Sequence, residues 1–193
     1  MHFAVIGICW AVMLFDAGLA VPLARTNKAV AIVSRAEWGA RAAKNPVTLS
    51  KPVTYAFIHH TAGAASSDLA SGKRVVKNIQ NYHMDSNKWD DIGYSFLIGG
   101  DGTIFEGRGW NRVGAHTQGY NSNGYGIAFL GTFTSQLPTA RAISSAKALI
   151  ADAVSRGFLK QNYILKGHRQ MGNTECPGSK LYQEIQKWAN WKA

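Results

Sequence analysis

The sequence predicts an α/β domain: a central mixed β-sheet flanked by about three α-helices. Two observations carry this. Short runs rich in β-formers alternate with amphipathic stretches, an arrangement that places helices on the faces of a sheet. One pair of runs is joined by a glycine-rich turn, which adds an antiparallel hairpin and makes the sheet mixed. From about Ile32 to Trp191 there is no linker, repeat or low-complexity stretch. A chain of 193 residues with an apolar fraction of 46% is long enough for one well-buried core.

The chain opens on an almost unbroken apolar run, Phe3 to Leu14, followed by small residues at Gly18 and Ala20. The run is shorter than the ~20 residues a membrane helix needs. It reads as a secretory signal peptide over 1–20, cut after Ala20, which places the protein outside the cell. A short leader over 21–31 then precedes a domain over 32–193 with no transmembrane segment. Val53–His59 is the first strand. Its period of two sets Tyr55, Phe57 and His59 on one face, and Ala56, Ile58 and His60 on the other. Asp68–Met84 reads as a helix, with Leu69, Val76, Ile79 and His83 at helical spacing. Tyr94–Ile98 and Thr103–Glu106 form the hairpin around Gly99-Gly100-Asp101-Gly102, and Gly126–Leu130 is a further short apolar strand. Thr139–Arg156 has the clearest apolar stripe, with Thr139 as its cap and Gly157 as its left-handed stop. Tyr163–Leu165 is a brief strand, and Gly178–Trp188 carries Leu181, Ile185 and Trp188 at helical spacing.

Lys and Arg number 21 against 11 Asp and Glu, a net charge of +10 that suits nucleic acid, an acidic membrane or an anionic polymer. The basic residues are scattered and no nucleic-acid motif is present, so a nucleic-acid partner is not expected. Removal of the signal takes Cys9 away and leaves Cys176 alone. Secreted proteins pair their cysteines, so a lone one is an accident, an intermolecular bridge or a thiol with a task. His59-His60 lies where a strand gives way to a Gly/Ala/Ser-rich loop. His168 follows another strand, and Cys176 comes eight residues after it. Imidazole and thiolate are zinc ligands, and three protein ligands with an open fourth position describe a catalytic Zn²⁺. A structural zinc would call for four ligands in close pairs such as C-x-x-C, and there is no such pair.

Seven runs together resemble a known family. They are Ser34-Arg35-Ala36-Glu37-Trp38-Gly39-Ala40, Ile58-His59-His60-Thr61-Ala62-Gly63, Asp91-Ile92-Gly93-Tyr94-Ser95-Phe96, Gly102 through Trp110, Gly114-Ala115-His116, Gly126-Ile127-Ala128-Phe129, and Gly167-His168-Arg169 continuing to Glu175-Cys176-Pro177-Gly178. In this order they are similar to peptidoglycan recognition proteins, animal relatives of the zinc N-acetylmuramoyl-L-alanine amidases of phage. The resemblance spans about Val33 to Trp188. It implies a groove holding Zn²⁺ on His59, His168 and Cys176, with His60 a neighbour and not a ligand. It also implies Tyr94 and Thr174 as catalytic helpers, and Thr61, Trp89, Arg108 and His116 as substrate contacts; Lys88, beside Trp89, would add a second positive group to the carboxylate that Arg108 would meet.

The implied function is that of a secreted, monomeric innate-immunity protein that binds bacterial peptidoglycan. It would hydrolyse the amide between N-acetylmuramic acid and L-alanine with a zinc-activated water. The alternative is a receptor that binds peptidoglycan without cutting it. Non-catalytic members have lost the cysteine ligand, which here is present as Cys176.

The chain departs from the family in two places. The loop after the histidine pair, Ala62 to Ser71, has no cysteine where many members carry a short disulfide, so a more mobile groove edge is expected unless packing compensates. Arg108 and Trp89 resemble members that prefer diaminopimelate peptides. Lys88 and Asp90, however, stand where that class has Gly and Asn.

Overall fold

The structure, a computed structural model, describes residues 30–193. The expected signal peptide and nearly all of the leader lie outside the described residues. Five strands form one sheet: β1 (Val53–His60), β2 (Phe96–Ile98), β3 (Ile104–Glu106), β4 (Gly124–Phe129) and β5 (Leu159–Gly167), in the order β3-β2-β4-β1-β5. β1 runs parallel to both β4 and β5, β2 runs parallel to β4, and β3 closes the antiparallel hairpin with β2. The sheet is mixed, as expected. Three helices cover it: α1 (Leu69–Asn81), α2 (Ala140–Ser155) and α3 (Ser179–Ile185).

Side-chain alternation divides the two faces. Ala56 and Ile58 of β1, Phe96 and Ile98 of β2, and Tyr125, Ile127 and Phe129 of β4 pack with α2 and α3 through residues such as Leu149, Ile150, Leu181 and Ile185. The opposite residues, Leu97, Ala128 and Leu130, pack with Val76 of α1, Trp38, Ile92 and Phe105. α1 therefore covers the β2–β3 end of its face. Over β1 that face carries Tyr55 stacked on Phe57 at 5.3 Å, with the loop bearing His116 and Tyr120 folded upon them. The predicted facing of Tyr55, Phe57 and His59 holds.

Local signals account for the helix ends. Asp68 caps α1 in a reciprocal box with Ser71, and the Thr139 hydroxyl accepts from the Ala142 amide at 3.1 Å. Gly157 has φ +68°, the left-handed stop. Three elements differ from expectation. α1 gives way at Asn81 to a π-helical turn, Tyr82–Ser86, which turns both His83 and Met84 inward. α3 ends at Ile185, short of Trp188. β5 has nine residues where three were expected, because Lys160, Gln161 and Asn162 sit exposed on an edge strand and leave no apolar signal. The cysteine-free loop is tied by backbone pairing: the Ser66 carbonyl accepts from Gly100 at 3.0 Å, and the Ala62 amide donates to Gly131 at 2.9 Å.

Gly72, buried in α1, lies against the Phe105 ring, and a methyl at that position would run into the ring. Gly72→Ala gains up to ~1 kcal/mol of helix propensity but overpacks a site with no room, at ~1–3 kcal/mol. The expected result is a lower urea midpoint with an unchanged m-value. Stability at or above wild type would show that the ring yields without cost.

Candidate metal centre

The register of two neighbouring strands builds the centre. Ile58 of β1 lies opposite Gly167 of β5, so the next residues, His59 and His168, emerge side by side at the carboxyl ends of parallel strands. Their ring centroids are 4.6 Å apart. Cys176 arrives on a loop pinned from both sides. Its carbonyl accepts from the Arg169 amide at 2.8 Å, and its amide donates to the Thr174 hydroxyl at 3.2 Å. Its Sγ lies 3.6 Å from His59 Nδ1 and accepts from the His60 amide at 3.4 Å. The three ligand atoms all fall within 4.8 Å of one another. Tetrahedral ligands at ~2.0–2.3 Å from one zinc ion stand ~3.3–3.8 Å apart, so side-chain adjustment of about an ångström closes the set on a single ion. His60, in contrast, faces the other way, and its Nδ1 accepts from the Phe133 amide at 3.3 Å.

Electrostatics suit a metal. Burial, reinforced by the neighbouring histidines, holds His59 well below the usual imidazole range, and burial also lowers His168. Both rings are thus neutral ligands at physiological pH. Burial pushes the Cys176 thiol up to about 12 against the opposing pull of the His60 amide, so a thiolate there calls for a cation beside it. Two neutral imidazoles and one thiolate fit Zn²⁺ with an open position.

The centre floors a cleft of about 350 Å³ whose walls include Thr61, Trp89, Tyr94, His116 and Thr174. Eight of the ten sequence-predicted site residues therefore meet there. Tyr94 is positioned through the backbone around it: Arg108 N donates to its carbonyl at 2.9 Å, and the Gly93 amide donates to His83 Nδ1 at 3.0 Å. Burial, with Cys176 adding to it, raises the Tyr94 phenol, which keeps its proton at physiological pH. Thr174 shapes the cysteine loop, as its bond to Cys176 requires. Burial and neighbouring His168 lower His116 to about 3. Its ring packs against β4 at Gly126, where any side chain would run into it.

The remaining two residues stand outside the cleft lining. Arg108 spans two loops, its Nε donating to Ile92 O and its Nη1 to Val113 O, each at 2.8 Å. Lys88 is exposed and holds φ +61°, the left-handed region that favours glycine. A second hollow of about 480 Å³ shares Thr61, Ala62 and Tyr94 with the first and runs along α1 past Asn78, Ile79 and Tyr82. Sequence reasoning missed two residues. His83 read as part of an apolar helical stripe but holds Gly93 and meets the Trp89 ring in a tilted contact at 4.7 Å. Thr117 is the other; its only signal was its place beside His116.

A fold with parallel strands ending in a His, His, Cys set defines the class of protein, and the comparisons agree. The profile of the N-acetylmuramoyl-L-alanine amidase family matches residues 49–179. The chain is 54% identical over 164 residues to peptidoglycan-recognition protein SC2 of Drosophila simulans, covering 85% of this chain and 89% of the relative. It is 44% identical to peptidoglycan recognition protein 1 of Bos taurus over 162 residues, 83% of this chain and 85% of that one. Its structure is similar to that of peptidoglycan recognition protein-LE in complex with tracheal cytotoxin. The TM-score is 0.82 and the identity 43%, over 83% of this chain and 95% of that one. The chain belongs to the N-acetylmuramoyl-L-alanine amidase family and, within it, to the peptidoglycan-recognition proteins. Among the described residues no helix is long and apolar enough to cross a membrane.

Cys176→Ser removes the thiolate and leaves a side chain that is a poor zinc ligand at neutral pH. The expected outcome is a folded chain whose zinc content, measured by elemental mass spectrometry after dialysis, falls from one per chain to near zero. Melting of the zinc-treated variant should match that of metal-free wild type. Full zinc retention would remove Cys176 from the ligand set.

Proposed function

We propose that this protein is secreted, binds bacterial peptidoglycan, and hydrolyses the amide between N-acetylmuramic acid and L-alanine with a Zn²⁺ held by His59, His168 and Cys176. The convergence of these three ligand atoms at the floor of a cleft that also holds Tyr94 carries the reading. The family description supports the reaction. Relatives solved with peptidoglycan fragments support the ligand: one is in complex with tracheal cytotoxin, a monomeric diaminopimelic acid-type peptidoglycan, and the human PGRP-IBETAC structure with a glycosamyl muramyl pentapeptide. The apolar Phe3–Leu14 run supports export, and the charge of +10 supports attraction to anionic bacterial walls that weakens with salt.

When bound, Zn²⁺ supplies a Lewis acid that polarises the scissile carbonyl and brings the pKa of water toward ~7. The protein's own residues do the rest. His59, His168 and Cys176 would hold the ion at the cleft floor. The Tyr94 phenol, kept protonated by burial, donates to the oxygen on which negative charge develops. Thr174 holds the cysteine loop at its position, and Trp89 and Tyr94 line the cleft walls. Mass spectrometry of muropeptides incubated with and without zinc tests the reading. Zinc-dependent release of the stem peptide is expected, and intact muropeptides that nevertheless bind would leave the receptor alternative.

Tyr94→Phe is expected to keep zinc and substrate affinity while turnover falls ~10²–10³-fold, the usual cost of one oxyanion donor. Unchanged turnover, or loss of zinc, would take this role from Tyr94.

Arg108 is read as selecting diaminopimelate-type stems. Its Nη2 and one Nη1 hydrogen are uncommitted, so the end of the fork can still pair with a carboxylate. Arg108→Ala should weaken diaminopimelate-type muropeptides ~10–100-fold and lysine-type ones less. An equal loss for both would reduce Arg108 to a strap between Ile92 and Val113. Lys88→Gly, at a position favouring glycine, should keep the preference.

A further inference from the structure

The loop that follows β3 carries a buried pair of polar side chains behind the metal centre. His59 turns Nδ1 toward Cys176 Sγ at 3.6 Å, so Nδ1 is the nitrogen directed at the ligand cluster. Its other nitrogen, Nε2, lies 3.4 Å from Thr117 Oγ1, and that same hydroxyl lies 3.0 Å from His116 Nδ1. Thr117 is 1% exposed and His59 1%, so water is not available to either group as a substitute partner. The hydroxyl does not depend on a ligand for its position. Asn121 Oδ1 accepts from the amides of both His116 and Thr117, at 2.8 and 2.9 Å, and the Thr117 carbonyl accepts from Tyr120 at 3.0 Å. The His116 ring is wedged between Gly114 and Gly126.

With Nδ1 of a neutral imidazole on a metal, Nε2 must carry the proton. It then donates to Thr117 Oγ1, whose single hydrogen is free to donate to His116 Nδ1. We infer that Thr117, backed by His116, is a positioning residue for the metal centre: it accepts from His59 Nε2, fixes the ring's tautomer and orientation, and so sets the metal affinity of the site. This rests on the reading of His59 as a metal ligand. His168 has no comparable partner for its ring among the described residues' hydrogen bonds, so this orienting contact serves one histidine of the pair. Outer partners of this kind govern metal affinity by ~10–100-fold, because their loss leaves a buried N–H without an acceptor.

The test compares wild type with Thr117→Val, Thr117→Ser and His59→Ala. The principal measurement is the zinc dissociation constant by competition with a chelator. Alongside it, the melting temperature of each metal-free protein is recorded, together with turnover at saturating zinc. Thr117→Val keeps the shape and removes the acceptor. It should bind zinc ~10–100-fold more weakly, with metal-free melting close to wild type. Saturating zinc should recover most of its turnover, and Thr117→Ser should return to near wild-type affinity. Thr117→Ala is measured in parallel, so that a valine variant that fails to fold does not end the test. Wild-type affinity in a folded valine or alanine variant overturns the proposal, as does a serine variant no better than valine. If wild type binds no zinc, or His59→Ala binds as wild type does, the metal-centre reading itself falls, a result distinct from the first.

Discussion

Parallel pairing of β1 with β5 is the constraint on which the centre depends. Ile58 opposite Gly167 is one rung of a ladder, and the next residue on each strand is a histidine. Because side chains alternate with a period of two, a slip of one residue would send one imidazole to the α2 face and leave the other without its partner. The ladder resists such a slip. Ala56 and Ile58 are fully buried in the apolar layer beneath, so a register change would exchange apolar side chains for His and Tyr within that core. The geometry of the site is thus maintained by packing on the opposite side of the sheet.

The opposite face is organised for polarity without water. His59 and His116 are nearly inaccessible, and burial keeps both uncharged. The same burial raises the Cys176 thiol and the Tyr94 phenol. One environment therefore prepares neutral nitrogen donors, a sulfur that ionises beside a cation, and a phenol that stays a hydrogen-bond donor. The small residues of β4 make room for it. Gly126 and Ala128 leave the sheet surface low enough for rings to lie across it, and the loop carrying His116 and Thr117 closes over them.

Around this rigid floor the groove edges are held by backbone contacts. The segment from Trp89 to Tyr94 is tied by Arg108, His83 and Asp91. Asp91 is buried, meets Arg35 at 3.0 Å and accepts from Gln80 at 2.7 Å. Lys88 stands just outside this network, exposed in a left-handed turn, so its side chain varies without disturbing the segment that carries Tyr94.

Much of this was legible in the linear chain. The period of two in Val53–His59 separated His59 from His60, Thr139 and Gly157 marked the bounds of α2, and the His, His, Cys set pointed to a metal. The strand and helix signals are properties of short spacing, and the metal signal one of residue type at strand ends, which the linear chain carries before folding. The tertiary structure decided what depends on partners distant in sequence. β5 proved three times as long as expected because an edge strand with Lys160, Gln161 and Asn162 exposed needs only backbone pairing, which leaves no mark on hydrophobicity. Arg108 became a strap because two carbonyls, at Ile92 and Val113, happen to face its guanidinium. Thr117 meets His59 across 58 positions of chain, a contact with no periodicity to betray it. Backbone carbonyls and single hydroxyls look alike in every sequence, and only the packing that brings them within 3.5 Å of a donor gives them a role.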